Sequence, residues 1–447
     1  MPTIEGAPTM TSPTAAAMES DRPTQLLPIT QLLRLSVYWL GLIAVVSGIG
    51  FILQERIKVL VPDPTMQYTT LGIIQAAGVL IAVLVQPIAG SISDYTISRF
   101  GRRKPYILVG TLLDVLFLIG IATSNTVLAV GAFVVLLQFS ANFAQGPFQG
   151  YVPDLIPPPQ VGLASGLVGL FTVLGVVTGS VLTSIGLSMG DFTIPTIALG
   201  VIELVTMLSL FFRLDEGRAA KDRGGRSWTS VAVEAWGRDV LRERSFMYLV
   251  ASRFFVLGGG AFLIGLLVPY LERAQGITDP DERGGLIVIS TGIVALCTAI
   301  ATIPAARLGD RFGRKRVIYV ACLLGAVGMA IAAWAPSVPI FILGAILMGV
   351  GTGSFLAVDW ALMTEIIPKD SSGRYMGISN VATATNGVIS AFIGGILVDA
   401  LVSAGNPTLG PRVAFLLAPV WFTLGALLLR PVVEPERLAG RFDTATG

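Results

Sequence analysis

Long apolar runs alternate with short polar segments along the chain from Leu33 onward. Twelve of these runs are long enough to cross roughly 30 Å of hydrocarbon, a distance that takes about 20 helical residues. The pattern predicts spans at 33–60, 68–92, 106–124, 126–152, 162–187 and 193–213, and then at 246–272, 284–306, 316–334, 338–366, 374–402 and 411–430. We therefore expect an all-α integral membrane protein with twelve transmembrane helices, six in each half.

Polar segments outside the spans divide the chain into five parts. In chain order we predict a disordered tail, a six-helix bundle, a linker, a second six-helix bundle and a second tail, at 1–32, 33–213, 214–245, 246–430 and 431–447. Within the linker, one helical face is shared by Trp228, Val231, Ala235 and Trp236. That spacing favours an amphipathic helix on the inner membrane surface, and a solvated tether is the alternative.

The composition excludes several classes of protein. Of 447 residues, 53% are hydrophobic and 13% charged, and the mean hydropathy of +0.77 excludes a water-soluble globule. A net charge of +2 gives no reason to expect a nucleic-acid partner. The chain has no histidine and no enzyme motif, so we expect a non-enzyme without cofactor or metal, in which carboxylates carry any proton. Cys297 and Cys322 lie in apolar runs and are predicted to be packing residues.

Basic residues are distributed unequally between the two sides of the predicted spans. One side has only five of the 30 lysines and arginines, namely Arg56, Lys58, Arg273, Arg283 and Arg412. Cytoplasmic loops of membrane proteins carry the excess of Lys and Arg. We therefore predict a multi-pass protein of the cell membrane with both termini and the linker in the cytoplasm.

Two short motifs recur at nearly the same offset along the chain. The run Arg99-Phe-Gly-Arg102 recurs as Arg311-Phe-Gly-Arg314, about 212 residues later, and each copy lies between two apolar spans. Asp154-Leu-Ile-Pro157 corresponds in the same way to Glu365-Ile-Ile-Pro368. A common offset indicates two copies of one six-helix unit, which is the parallel repeat of many secondary transporters.

Two six-helix halves, each with an Asp and an Arg-Phe-Gly-Arg loop, resemble the major facilitator superfamily. More narrowly, Val85-Gln86-Pro87-x-x-Gly90-x-x-Ser93-Asp94 and Ser98-Arg99-Phe100-Gly101-Arg102-Arg103-x-Pro105 resemble the plant-type sucrose:proton symporters and the related glycoside-pentoside-hexuronide:cation symporters. Asn142-x-x-Gln145-Gly146-Pro147, followed by Asp154-Leu155, is similar to the fourth helix of that group. The resemblance implies alternating access around a cavity lined by the first, fourth, seventh and tenth helices. Gln138 departs from it, because the group has a protonatable Asp there.

The basic loops are candidate latches that hold the cytoplasmic side shut in one conformation. Arg is suited to bidentate pairing with a carboxylate at a helix end. The alternative is that these residues only set the topology. The predicted latch residues are Asp94, Arg99, Arg102, Arg103, Asp310, Arg311 and Arg314.

Several amide side chains are candidate solute ligands. The fourth span carries a row at spacings of four, three and four residues, and such a row must face another helix or a watery cavity. Contact with sugar hydroxyls is one interpretation, and hydrogen bonding between helices is the other. The predicted solute-binding residues are Gln138, Asn142, Gln145, Gln149, Trp360, Asn380 and Asn386.

Four ionisable residues lie inside spans, where each is costly and points to function by default. Arg253 and Asp359 lie on the seventh and tenth spans at similar depth, so we predict an ion pair that carries the proton. A permanently paired strut is the alternative. Asp114 and Glu203 lie on the third and sixth spans, which stand at the periphery, and we expect structural hydrogen bonding for both.

The sequence thus predicts a monomeric secondary active transporter in the lipid bilayer, coupling a proton to the symport of a sugar or glycoside-like solute. A proton-coupled exporter of drugs or metabolites and an uncoupled sugar facilitator are the alternatives. Such exporters usually carry a Gly-Pro motif on the fifth helix, and Gly175-Val-Val-Thr-Gly179 contains no proline.

Overall fold

Six long helices form the first half of the protein. The computed structural model describes residues 26–151, 155–157, 160–214, 216, 225, 227–234, 242–366 and 372–432. Polar or Gly-containing connections separate the apolar runs, so each run forms its own helix. The first six, α1 to α6, are Ile29–Leu60, Gln67–Asp94, Lys104–Thr123, Val127–Gln149, Val161–Met189 and Thr193–Arg213.

The second half repeats the arrangement with six further helices. They are α7 to α12, at Arg244–Gly265, Pro280–Phe312, Arg314–Ala333, Val338–Ile366, Ser372–Ser403 and Leu409–Leu428. In the described part of the chain, these twelve helices are long and apolar enough to cross a membrane, which confirms the predicted number.

In the second half the predicted span boundaries differ most from the helices at α7 and α8, and α8 ends at residue 312, six residues after the predicted end. α7 ends at Gly265, and the chain continues as two short helical segments, Leu267–Pro269 and Tyr270–Ala274. The apolar pattern alone ran the span to residue 272, because Leu266, Leu267 and Val268 stay buried beyond the helix end. α8 begins earlier than predicted, since Asp279 caps it by accepting a hydrogen bond from the backbone of Glu282 at 2.8 Å.

Helix packing follows the same plan in both halves. In the first half, α1 packs on α5 and α6, α2 on α4, and α3 on α4 and α6. In the second half, α7 packs on α11 and α12, α8 on α10, and α9 on α10 and α12. The halves meet where α2 contacts α11 and where α5 contacts α8, and these two contacts exchange under the repeat. The packing therefore confirms two six-helix pseudo-repeats.

Glycines allow the closest helix crossings. A Cβ on Gly146 of α4 would lie 2.2 Å from the carbonyl oxygen of Gln86 on α2. A Cβ on Gly353 of α10 would lie 2.2 Å from the carbonyl oxygen of Thr298 on α8. These are the same helix pair in the two halves. Helices inside a membrane have no hydrophobic driving force for association. Small residues at such crossings let the backbones approach closely and pack by van der Waals contact.

We call the end of the molecule that carries Asp94–Lys104 and Asp310–Arg316 the loop side, and the end that carries residues 61–66 and 266–279 the far side. On the loop side, Trp228–Glu234 of the linker forms a seven-residue helix in which Val231 is buried and Trp228 exposed. Ala235 and Trp236 of the predicted amphipathic face lie outside the described residues, as do 1–25, Asp154, Pro368 and 433–447. The amphipathic helix and the two tails stay predictions.

Candidate functional site

A buried ion pair joins α7 to α10. Arg253 Nη1 donates a hydrogen bond to Asp359 Oδ2, and the side chains are only 3% and 0% exposed. Arg253 Nε donates to Thr383 Oγ1 of α11 at 3.0 Å, so three helices of the second half converge on one guanidinium. The structure therefore brings together the two residues predicted for proton coupling. Breaking such a buried pair on one side leaves an uncompensated charge, which is strongly destabilising.

The same cluster presents groups that a polar solute can bind. The Arg253 guanidinium lies 5.3 Å from the ring centre of Trp360, and Trp360 remains 45% exposed although it neighbours a buried pair. Thr383 is also exposed. Asp359 Oδ1 is buried and has no hydrogen-bond partner among the described residues. An aromatic face and a hydroxyl are thus exposed beside the buried pair, which is the type of surface that polar ligands with apolar faces use.

Of the two predicted solute-binding amides of α11, Asn386 bonds its own helix and not the Arg253–Asp359 cluster. Asn386 is 6% exposed, and its Nδ2 donates to the carbonyls of Ala382 at 3.0 Å and Thr383 at 2.5 Å on its own helix. Its donor group is therefore occupied by the backbone. The side chain of Asn380 lies outside the described part of the structure.

The amide row on α4 contacts α2 at two of its positions. Gln86 Nε2 donates to Gln149 Oε1 at 3.1 Å, and Gln138 packs so closely on Gly78 that a Cβ there would lie 2.8 Å from Gln138 Cγ. Asn142 Nδ2 donates to the Gln138 carbonyl of its own helix at 2.8 Å. These contacts match the interhelical alternative for Gln138 and Gln149. Gln145 is half-buried, and its contact with a solute stays a prediction.

The first basic loop ties three helices together on the loop side. Arg103 Nη2 contacts Asp94 Oδ1 at 2.6 Å, and Arg102 Nη1 lies 3.9 Å from the same oxygen. Arg103 Nη1 also donates to the carbonyl of Pro147 on α4 at 2.9 Å. Because Arg103 is 6% exposed, this pair is shielded from solvent and screened less by salt than a surface pair.

Glu216 lies just after α6, is marked by no sequence motif, and binds the first basic loop. Its carboxylate accepts backbone N–H groups of Arg102 at 2.6 Å, Arg103 at 3.2 Å and Lys104 at 2.9 Å, and the Tyr151 hydroxyl at 2.6 Å. The free N–H groups at the start of a helix bind an anion, and here they are those of α3. A single acidic residue after α6 belongs to no repeating sequence pattern, so the sequence alone does not predict that Glu216 caps α3.

The second basic loop has the same backbone but a weaker ion pair. Gly313 has φ +99°, as Gly101 has φ +106°, and both values require glycine. The flanking arginines stack alike, with Arg99 4.5 Å from Phe100 and Arg311 5.1 Å from Phe312. Arg314 Nη2 lies 3.9 Å from Asp310 Oδ1, and Asp310 is 74% exposed. The two loops thus have the same backbone shape, and the Asp310–Arg314 pair is longer and more exposed than the Asp94–Arg103 pair.

Ion pairs across the two halves close the far side. Arg283 Nε of α8 lies 3.3 Å from Glu55 Oε1 of α1, and Lys58 of α1 bonds Glu272, which follows α7. Lys58 also lies 2.8 Å from Glu55, so these four residues form one network. Such a network orders its side chains together, which makes it stronger than isolated surface pairs.

A second set of contacts closes the far side between α2 and α11. The backbone N–H of Thr69 donates to Asp399 Oδ2 at 2.7 Å. Arg273 Nη2 donates to Gln67 Oε1 at 3.1 Å and lies 5.2 Å from the ring centre of Tyr68. Asp399 therefore occupies the N-terminus of a helix that belongs to the opposite half, where an anion is favoured.

The depth of the contacts between halves defines the conformation. The hydroxyls of Ser180 on α5 and Thr291 on α8 lie 2.8 Å apart, nine and eleven residues from the far-side ends of their helices. At 1.5 Å of rise per residue the closure reaches about 15 Å, half of the hydrocarbon. Trp360 and Thr383 lie beyond this depth and stay exposed. The protein is therefore closed on the far side, and Trp360 and Thr383 remain exposed beside the buried ion pair.

An apolar groove of about 560 Å³ lies elsewhere, between α8, α9 and α10. Its walls include Ile300, Leu308, Val320 and Val350, with Arg316 at one end. None of the predicted solute-binding residues lines it, and its walls offer few polar groups. This groove is therefore not the candidate site.

The comparison with protein families identifies the superfamily. The family model described as Major Facilitator Superfamily matches residues 36–296 and 254–445. The chain belongs to the major facilitator superfamily. The twelve candidate spans of the described residues fit this superfamily.

Curated relatives of the chain within the major facilitator superfamily have diverse names. Two uncharacterized MFS-type transporters of Mycobacterium tuberculosis are 29% identical over 102 residues, and the match spans 23% of this chain and 15% of theirs. The tetracenomycin C resistance and export protein of Streptomyces glaucescens is 24% identical over 444 residues, covering 84% of this chain and 80% of that protein. Proton-associated sugar transporter A of Rattus norvegicus is 32% identical over 158 residues, 29% of this chain and 21% of that protein.

Solved structures share the major facilitator fold with this chain. The nucleoside transporter NupG superposes with a TM-score of 0.71 at 14% identity, covering 90% of this chain and 99% of that one. A D-xylose-proton symporter superposes with a TM-score of 0.65 at 17% identity, covering 91% and 98%. At these identities the likeness shows the fold alone.

Proposed function

We propose that this transporter is a proton-coupled symporter of a sugar or glycoside-like solute, a monomer in the cell membrane with both termini in the cytoplasm. The observation that carries the proposal is the buried Arg253–Asp359 pair, which shares its guanidinium with Thr383 and lies beside the exposed Trp360. In this orientation the loop side is cytoplasmic and the structure is the inward-open state.

The pair supplies a way to couple a proton to the change of state. In the inward-open state Arg253 neutralises Asp359. When movement of α7 against α10 separates them, the buried carboxylate loses its partner, and taking up a proton removes the cost of its charge. Arg253 retains Thr383 and the Trp360 face as partners during that separation. Proton binding and conformation are thereby linked through one carboxyl group.

The chemistry of the cluster supports a hydroxylated solute. Trp360 offers a flat face for the apolar side of a sugar ring, while the exposed Thr383 hydroxyl offers a hydrogen bond to a sugar hydroxyl. In the superfamily architecture α4 lines the same central space, so Gln145 is the candidate ligand from the first half. The likeness to sucrose:proton symporters in residues 85–105, and the printed name of the rat relative, point the same way.

Sealed vesicles containing the purified protein test this function. With a panel of mono-, di- and glycosidic sugars, we expect at least one to accumulate inside when the outside is acidic, and a protonophore to abolish the accumulation. Accumulation of no sugar under any gradient refutes sugar symport. Exchange of labelled sugar without gradient-driven accumulation identifies an uncoupled facilitator. Gln138 favours this alternative, because it stands where the symporter group has a protonatable Asp.

Export in exchange for protons is the second candidate, and the Streptomyces export protein supports it because that match covers most of both chains. The same vesicles separate the two candidates by the sign of the gradient. An exporter with inverted orientation accumulates its solute when the vesicle interior is acidic, whereas a symporter of known orientation requires acid on the side from which the solute enters.

A further inference from the structure

Two carboxylic acids face each other inside the first half, far from the Arg253–Asp359 pair. Asp114 of α3 and Glu203 of α6 are both 0% exposed. The acids lie at the crossing of α3 and α6, where a Cβ on Gly200 would lie 3.4 Å from the Cα of Val115, the neighbour of Asp114, and each carboxyl interacts with the other. Each lies ten residues from the loop-side end of its helix, about 15 Å into the membrane. The acids therefore meet at the middle of the bilayer.

The surroundings of the two acids are polar but carry no positive charge. Ser140 Oγ of α4 donates to Asp114 Oδ1. The hydroxyl of Tyr38 from α1 lies 3.0 Å from Thr111 Oγ1 of α3 and near both acids. Among the described residues, no lysine or arginine contributes to the electrostatic environment of either carboxyl. The cluster thus has hydroxyl partners and no cation.

A close helix crossing seals the acids from water. A Cβ on Gly41 of α1 would lie 2.2 Å from Thr206 Oγ1 and 2.9 Å from the Cα of Glu203. α1 and α6 are therefore in direct contact at the level of Glu203. Ser140 lies between Gln138 and Asn142 in sequence but on the opposite face of α4, so the helix separates the acids from the amide row.

Within the described part of the chain, three carboxyl oxygens of the two acids lack a hydrogen-bond donor, which favours the binding of a proton. Asp114 Oδ2, Glu203 Oε1 and Glu203 Oε2 are fully buried, and none receives a hydrogen bond from a donor in the described residues. Two ionised carboxylates in contact repel each other in a low-dielectric interior and cannot donate to one another. One proton removes one charge and turns one acid into the donor that the other lacks.

We propose that Asp114 and Glu203 form a proton-binding site in which the two carboxyl groups share one proton. The first half then holds a proton while the second half holds an ion pair. The site does not depend on Asp359 as the coupling group, and it gives this chain a second place where a proton is gained or lost. The expectation of structural hydrogen bonding stays a prediction for both acids, and Asp114 accepts one such hydrogen bond from Ser140.

Infrared spectroscopy of the purified full-length protein tests the site. A neutral carboxylic acid has a carbonyl stretch that an ionised carboxylate lacks, and the stretch shifts when the proton is exchanged for deuterium. At neutral pH we expect this signal in the unsubstituted protein. We expect Glu203→Gln to remove it or move it, since Gln takes the place of the neutral acid and leaves Asp114 as the single carboxyl.

Two further variants keep the test decisive. Ser140→Ala deletes only the hydrogen bond to Asp114, so it should shift the signal without abolishing it, which separates a shared proton from loss of folding. Asp359→Asn lies in the other half and should leave the signal unchanged. Identical spectra for the unsubstituted protein and Glu203→Gln, with both folded by size-exclusion chromatography, would overturn the proposal. A positive signal together with failed sugar uptake would leave this site standing and reject the proposed symport.

Discussion

Asp399 of α11 accepts the backbone N–H of Thr69, at the start of α2, at 2.7 Å, so a carboxylate of one half caps a helix of the other. The first N–H groups of a helix have no partner within it, and Asp399 satisfies one of them across the interface. The contact exists only while the far side is closed. It therefore stabilises the conformation that is closed on the far side and does not stabilise the conformation that is open there.

Replacing Asp399 with Ala should shift the protein toward opening of the far side. Loss of a carboxylate at a helix N-terminus costs about 1 kcal/mol, or roughly a fivefold change in the equilibrium. The measurement is maleimide labelling of Ser184→Cys, which packs on Gly284 across the interface, in a background without Cys297 and Cys322. Asp399→Asn is the matched control, because its amide oxygen still accepts the N–H. Equal labelling of Asp399→Ala and the unsubstituted background would contradict this role.

Replacing Asp359 with Asn should abolish pH-driven accumulation and leave solute exchange measurable. Asn has the shape of the protonated acid and keeps a hydrogen-bond acceptor for Arg253, but it cannot release or take up a proton. Transport against a gradient and counterflow of labelled solute are measured in the same vesicles. Asp281→Asn, at an exposed carboxylate of the same half outside both sites, controls for the loss of one charge. Retained accumulation in Asp359→Asn under an acidic exterior would exclude Asp359 as the proton carrier.

Replacing Asp94 with Asn should impair transport more than the equivalent change at Asp310. Asp94 is 25% exposed and lies 2.6 Å from Arg103, whereas Asp310 is 74% exposed and lies 3.9 Å from Arg314. Exposed pairs contribute at most about 1 kcal/mol, whereas removal of one partner of a shielded pair leaves the other charge uncompensated and costs more. Initial transport rates and accessibility of a loop-side cysteine probe are compared in the two variants at equal expression. Indistinguishable effects of the two changes would show that burial of the pair does not determine its role.

Replacing Glu216 with Gln should loosen the loop between α2 and α3. Gln still accepts one N–H but lacks the charge that favours the helix terminus, so we expect a loss of about 1 kcal/mol locally. Trypsin cleavage at the exposed Arg99 should accelerate. Tyr151→Phe removes one hydrogen bond to Glu216 and leaves its charge, and it should have a smaller effect. Unchanged cleavage in Glu216→Gln would mean that the loop is held without this carboxylate.

The sequence by itself determined the number of helices, their order and the repeat. This follows because a span of the hydrocarbon core requires about 20 apolar helical residues, and the backbone must satisfy its own hydrogen bonds there. It also indicated that Arg253 and Asp359 pair, since two charges at equal depth in adjacent helices of one half have few other partners.

Only the tertiary structure decided which side is closed, and which residues hold it closed. Glu55, Arg283, Thr69 and Asp399 lie far apart along the chain, and their contacts depend on how the halves are rotated about each other. No periodicity within a helix encodes that rotation. The same holds for Glu216 and for the meeting of Asp114 with Glu203. Each is an isolated carboxylate in the sequence, and its chemistry comes from a partner on another helix that folding places beside it.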